Sequence, residues 1–71
     1  MQTTTVEGKA VSVGDYVGFK CDIEQYGRIV NIKKNYAGQI VLLLENLDGF
    51  DGDYIGGMTR TIELASDCWV D

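Results

Sequence analysis

Two stretches decide the fold class: Val13-Gly14-Asp15-Tyr16-Val17-Gly18-Phe19-Lys20 and, a few positions later, Gly27-Arg28-Ile29-Val30-Asn31-Ile32. Around the first, Val17, Phe19 and Cys21 fall on one side and Tyr16, Gly18 and Lys20 on the other, a period of two that a strand uses and a helix does not. The spacing predicts one strand from Val11 to Lys20, bent or bulged at Gly18. A second strand is expected from Gly27 to Lys33, with Val30 and Ile32 buried and Ile29 and Asn31 facing away.

Outward from this hairpin the chain has no proline and nine glycines. Its bends must therefore come from Gly, Asn and Asp, which tolerate positive φ. Turns are read at Gly14-Asp15, Asp22 to Gly27, Asn35 to Gly38 and Asp48 to Gly57. Between the last two lies Gln-Ile-Val-Leu-Leu-Leu-Glu, Gln39 to Glu45, whose length suits a central strand and is too short for a helix. Met58 to Leu64 alternates again, setting Arg60, Ile62 and Leu64 against a threonine-rich face of Thr59, Thr61 and Glu63 suited to solvent. Ala65-Ser66-Asp67 fits a single 3₁₀ turn, and Cys68-Trp69-Val70 a brief last strand. Met1 to Glu7 has no periodicity, so residues 1–8 are read as a flexible N-terminal tail and 9–71 as one domain.

A chain of 71 residues holds a single core. Such a small domain hides only about 60% of the surface of its unfolded chain, so association with a partner or a second copy is an open route to stability. No apolar run approaches the roughly 20 residues that span a bilayer, and no basic-then-apolar leader opens the chain. The expected setting is the cytoplasm, without membrane contact. There, Cys21 and Cys68 are expected as two unpaired thiols. With no histidine, the usual general base and activator of a thiol is missing. Neither cysteine has a second ligand nearby for zinc. The reading is of a protein that is not an enzyme, with no catalytic residues, no metal site and no cofactor.

The net charge of −5 is uneven. Residues 1–40 carry Glu7, Asp15, Asp22 and Glu24 against Lys9, Lys20, Arg28, Lys33 and Lys34, whereas residues 41–71 carry Glu45, Asp48, Asp51, Asp53, Glu63, Asp67 and Asp71 against Arg60 alone. Such a field repels phosphate backbones and favours a basic protein surface.

Val13-Gly14-Asp15-x-Val17 before Gly27-x-Ile29-Val30-x-Ile32, with five short strands, a long loop after the third and a one-turn break before the last, resembles the SH3-like barrel in its KOW and Tudor-like branch. The resemblance implies an all-β, five-stranded barrel with a single 3₁₀ turn before the last strand. Phe19-Lys20, Glu24-Gln25-Tyr26-Gly27, Asp48-Gly49-Phe50 and Cys68-Trp69 also look like uncharacterised small proteins of tailed bacteriophages. That resemblance implies an accessory protein of the host cytoplasm that modulates or inhibits a host protein, such as a basic nucleic-acid-binding or defence protein.

The loop from Leu47 to Gly57 is the candidate site. Asp48, Asp51 and Asp53 alternate there with Phe50 and Tyr54, combining aromatic anchors with carboxylates that steer a basic partner. As a calcium loop it lacks the third regular carboxylate and the closing glutamate of an EF-hand. A cage for a methylated cation would need rings from Tyr16, Tyr26, Phe50, Tyr54 and Trp69 around one pocket. The alternative reading is a KOW-like nucleic-acid or ribonucleoprotein module using Lys20, Arg28, Lys33, Lys34 and Tyr36, which the acidic balance opposes. A third is a structural or oligomeric virion component that pairs exposed strand edges.

Overall fold

The computed structural model describes residues 2–5 and 7–70; Met1, Val6 and Asp71, which the expected tail and domain limits include, lie outside the described residues. The elements are β1 (Gln2–Thr4), β2 (Ala10–Ser12), β3 (Tyr16–Cys21), β4 (Ile23–Lys34), β5 (Ile40–Glu45), β6 (Arg60–Leu64), a 3₁₀ turn (Ala65–Asp67) and β7 (Trp69–Val70). The described chain is all-β with that one helical turn, placed where the sequence put it. β1 and β2 form a two-stranded sheet, and the other five run antiparallel in the order β6-β5-β4-β3-β7.

This sheet is not a closed barrel. Closure needs hydrogen bonds between the outermost strands. Here β6 and β7 are the two edges, and the two-residue β7 spends its pairing on β3 through Val17↔Val70 and Gly18↔Trp69.

Local chemistry explains the other departures. The expected first strand is interrupted at Val13 to Asp15: Asp15 N donates to Ser12 O at 3.1 Å, Ser12 N donates to the Asp15 carboxylate at 2.9 Å, and Gly14 sits at φ 101°. The freed segment Ala10–Ser12 pairs with Gln2–Thr4, so part of the expected tail is a strand. Glu7 Oε1 accepts a hydrogen bond from Val70 N at 2.6 Å and ties that end to the last strand. The turn expected over Asp22 to Gly27 shrinks to Asp22 alone, at φ 65°, and β4 begins at Ile23.

β4 therefore belongs to two hairpins in succession. Ile23 to Arg28 pairs with β3, and Arg28 to Lys34 pairs with β5. A bulge between Ile29 and Asn31 inserts Val30 and shifts the alternation by one. Ile29 and Ile32 are consequently both buried, while Val30 is half-buried and only one of the two residues expected inside is there. The same inversion occurs on β6: Thr61 is buried and bonded to Glu63 Oε2 at 2.8 Å, while Ile62 is 60% exposed.

The core collects Val17 and Phe19 from β3, Ile29 and Ile32 from β4, Leu42 and Leu44 from β5, and Val11, Phe50, Ala65 and Cys68 from elsewhere in the chain. Each large apolar side chain fully buried stabilises the fold by about 1.5–3 kcal/mol. Phe19 and Phe50 meet edge to face, with ring centroids 5.5 Å apart.

Candidate functional site

Residues opposite one another in an antiparallel sheet share a face. Tyr16↔Arg28, Arg28↔Glu45 and Glu45↔Arg60 therefore form one row across β3, β4, β5 and β6 on the face away from the core, and Trp69, Gly18 and Tyr26 form a second row beside it. The rows are set by β3 and β4, whose inward positions Val17, Phe19 and Gln25 fix Tyr16, Gly18 and Tyr26 outward. Gly18 has a packing reason to be glycine, because a Cβ there would collide with the Trp69 indole. The indole thus rests on bare backbone between the two strands flanking β3.

Along the first row Glu45, with 14% of its side-chain surface exposed, accepts from Arg28 Nη2 at 3.3 Å and from Arg60 Nε and Nη2, both at 3.1 Å. One carboxylate between two guanidiniums leaves this row a net positive charge. Next to it Tyr16, Tyr26, Gly27, Arg28, Glu45, Asn46, Leu47 and Asp48 line a groove of about 500 Å³. Tyr16 is 58% exposed, Tyr26 43% and Leu47 80%. Three apolar surfaces that would gain from leaving water thus stand beside a paired ionic row, with Asp48 on the rim.

The loop from Asn46 to Thr59 closes over one end of the sheet and is held by its main chain. Asn46 N donates to Thr59 O at 2.9 Å, Phe50 N to Met58 O at 2.8 Å, and Gly57 N to Phe50 O at 2.8 Å. Gln25, 6% exposed, reaches it from β4: its Nε2 donates to Asp51 O at 2.7 Å and to Cys21 O at 3.0 Å, while Asp51 N donates to its Oε1 at 2.8 Å. Asp53 N donates to the Asp22 carboxylate. A side-chain amide that takes both main-chain groups of one residue acts as a short added strand.

The expected loop site is therefore divided. Phe50 is 2% exposed and packed on Phe19, so its reading as an anchor for a partner is corrected: the ring belongs to the core. The ring also packs over Gly27, where an added Cβ would touch Phe50 Cζ at 3.4 Å and press on Leu44 Cβ at 3.1 Å. Asp48, Asp51, Asp53 and Tyr54 are exposed. Of these, Asp48 lines the groove.

Of the five rings considered for a cage, Tyr16, Tyr26 and Trp69 share the outer face, and Phe50 is on the core side. The basic set is also divided. Lys20 stands opposite Glu24 near the tip of the β3–β4 hairpin, Arg28 is engaged by Glu45, and Lys33, Lys34 and Tyr36 gather with Asn35, Val41 and Ile62 at the far end of β4. Tyr16, Tyr26 and Trp69, read from the sequence only as rings of a cage, and Leu47, read only as the first residue of the loop, lie outside the expected contact set; the signal for Leu47 is a lone aliphatic side chain between Asn46 and Asp48, at the start of a turn.

Cys21 and Cys68 are both free thiols. Burial, then Glu63 and Asp67, pushes Cys68 up to about 12, and Cys21 is also raised, by burial and by Asp22 and Glu63. Both shifts disfavour the thiolate, the nucleophilic form. Among the described residues no three Cys, Asp or Glu side chains gather as a metal-binding group, and no helix is long and apolar enough to cross a membrane. Compared with known proteins, the chain matches no known family, no curated protein and no solved structure.

Proposed function

We propose that this chain is a non-catalytic protein-binding module whose contact surface is the groove of Tyr16, Tyr26, Leu47 and Asp48, continued by Trp69. The observation that carries the reading is the exposure of those two tyrosines and Leu47 on one concave surface of about 500 Å³. Aromatic side chains offer contact area at low entropic cost and dominate binding energy when a partner dries them. The exposed Asp48 on the rim of the groove, with the exposed Asp51 and Asp53 farther along the same loop, steers a basic partner toward it. The order β6-β5-β4-β3-β7 and the 3₁₀ turn before β7 support an SH3-like arrangement left open at its edges. The role as a phage accessory protein acting on a host protein rests on the sequence resemblance alone.

The test is capture from a bacterial lysate on the immobilised protein, with and without nuclease, for the natural chain and for Leu47→Glu and Tyr16→Ala. The reading expects a nuclease-resistant protein retained by the natural chain and reduced at least tenfold by either substitution, with the circular dichroism of both variants unchanged. Capture lost on nuclease treatment, or indifferent to both substitutions, would count against it.

A further inference from the structure

We infer that two copies of this chain associate through the open edge of β6, in a two-fold antiparallel pairing centred on Ile62. Edge strands of monomers are commonly guarded by charged side chains, inward-pointing charges, proline, a bulge or a covering segment, and β6 carries Arg60 and the inward-facing Glu63 but no lysine, proline or bulge. β6 reads Arg-Thr-Ile-Glu-Leu, pairs with β5 without a register shift, and has no strand on its other side among the described residues. Its outward side chain at mid-strand is the exposed Ile62, and the neighbouring outer positions of its own sheet are Val41, Leu43 and Leu64, each half-buried.

The main chain sets which groups are free. Asn46 N donates to Thr59 O, so Thr59 turns its polar groups toward the β5 side. By the alternation of an antiparallel ladder, Thr61 and Glu63 do the same, and Arg60, Ile62 and Leu64 direct theirs to the open edge. The Leu64 carbonyl also accepts from the Cys68 thiol at 3.4 Å. A second β6 laid antiparallel about Ile62 would exchange two reciprocal hydrogen bonds between the two Ile62 residues and set Arg60 opposite Leu64 on either side.

Charge and length select this register and this occupant. Centring on Ile62 pairs all five residues of the strand with themselves reversed. Arg60 meets Leu64, Thr61 meets Glu63, and no like charges stand opposite. Centring on Arg60 or Glu63 would place that charge against its own copy, which is destabilising, and centring on Thr61 or Leu64 shortens the overlap. The strand is thus complementary to its own reverse, the property that an isologous interface requires.

The experiment is sedimentation of the full chain from roughly 10 µM to 1 mM, a range that brackets a weak edge-paired dimer, alongside Ile62→Lys and oxidised Ile62→Cys with the bridge located by peptide mapping. The expected result is concentration-dependent dimer, weakened at least tenfold by Ile62→Lys, and a 62–62 bridge in Ile62→Cys, since opposed strand positions fall within disulfide reach. An exposed control, Val13→Cys, should give no such bridge. A natural chain that stays monomeric throughout the range, a dimer indifferent to Ile62→Lys, or bridging as rapid at position 13 as at 62 would each overturn the inference.

Discussion

Gln25 holds the main chain of Asp51 by both its donor and its acceptor, and Phe50, one residue earlier, fills the space above Gly27. Together they make the loop a lid with a packed underside, so its truncation is a matter of stability. Phe50→Ala should lower unfolding free energy by about 3–5 kcal/mol in urea titration, in the range of buried aromatic truncations. A change under about 1 kcal/mol would return the ring to the surface. The Cys68 thiol gives a pH test. Its folded value of about 12 lies above the ordinary 9.0, so the folded chain holds that proton more tightly than the unfolded chain. The stability linked to it is complete below pH 9 and is lost as pH rises toward 12. Cys68→Ala should therefore show a smaller fall in urea midpoint between pH 9 and 12 than the natural chain. Equal slopes would remove the thiol from the account.

At the scale of elements, β4 organises the molecule because it serves two hairpins and changes face at its bulge. Ile29→Ala should cost about 2–5 kcal/mol, as buried aliphatic truncations do, while the half-buried Val30 should cost about 1 kcal/mol when truncated, near the centre of ordinary substitutions. The reverse order, measured by the same unfolding titration, would mean that no bulge forms. The strands themselves were legible in the period-two alternation of Val17 and Phe19 and in the length of Ile40–Glu45, and the 3₁₀ turn in its short polar break. The bulge was not. Ile29, Val30 and Ile32 supply apolar residues to either alternation, so hydrophobicity alone cannot choose, and the pairing of Arg28 with both neighbours decides. For the same reason Ile62 and Thr61 exchanged faces, since β6 takes its orientation from β5. Half of the candidate site was hidden because cross-strand neighbours are distant in sequence: Trp69 and Tyr26 meet only through Gly18.

For the whole molecule, the charge imbalance of the sequence becomes a spatial separation. Arg28 and Lys33 on β4 and Arg60 on the edge strand β6 lie on the outer face of the sheet, while Asp48, Asp51 and Asp53 lie on the loop that caps one end. The proposed contact groove lies where these regions meet. The central claim is that this groove receives the partner and that the loop tip and the far end of β4 do not. It is tested most directly by titrating ¹⁵N-labelled protein with peptides selected on it from a random library and following backbone amide shifts. The account predicts the largest changes at Tyr16 to Gly18, Tyr26 to Arg28 and Asn46 to Asp48. Changes confined to Asp51 to Tyr54, or to Lys33 to Tyr36 with Ile62, would contradict it.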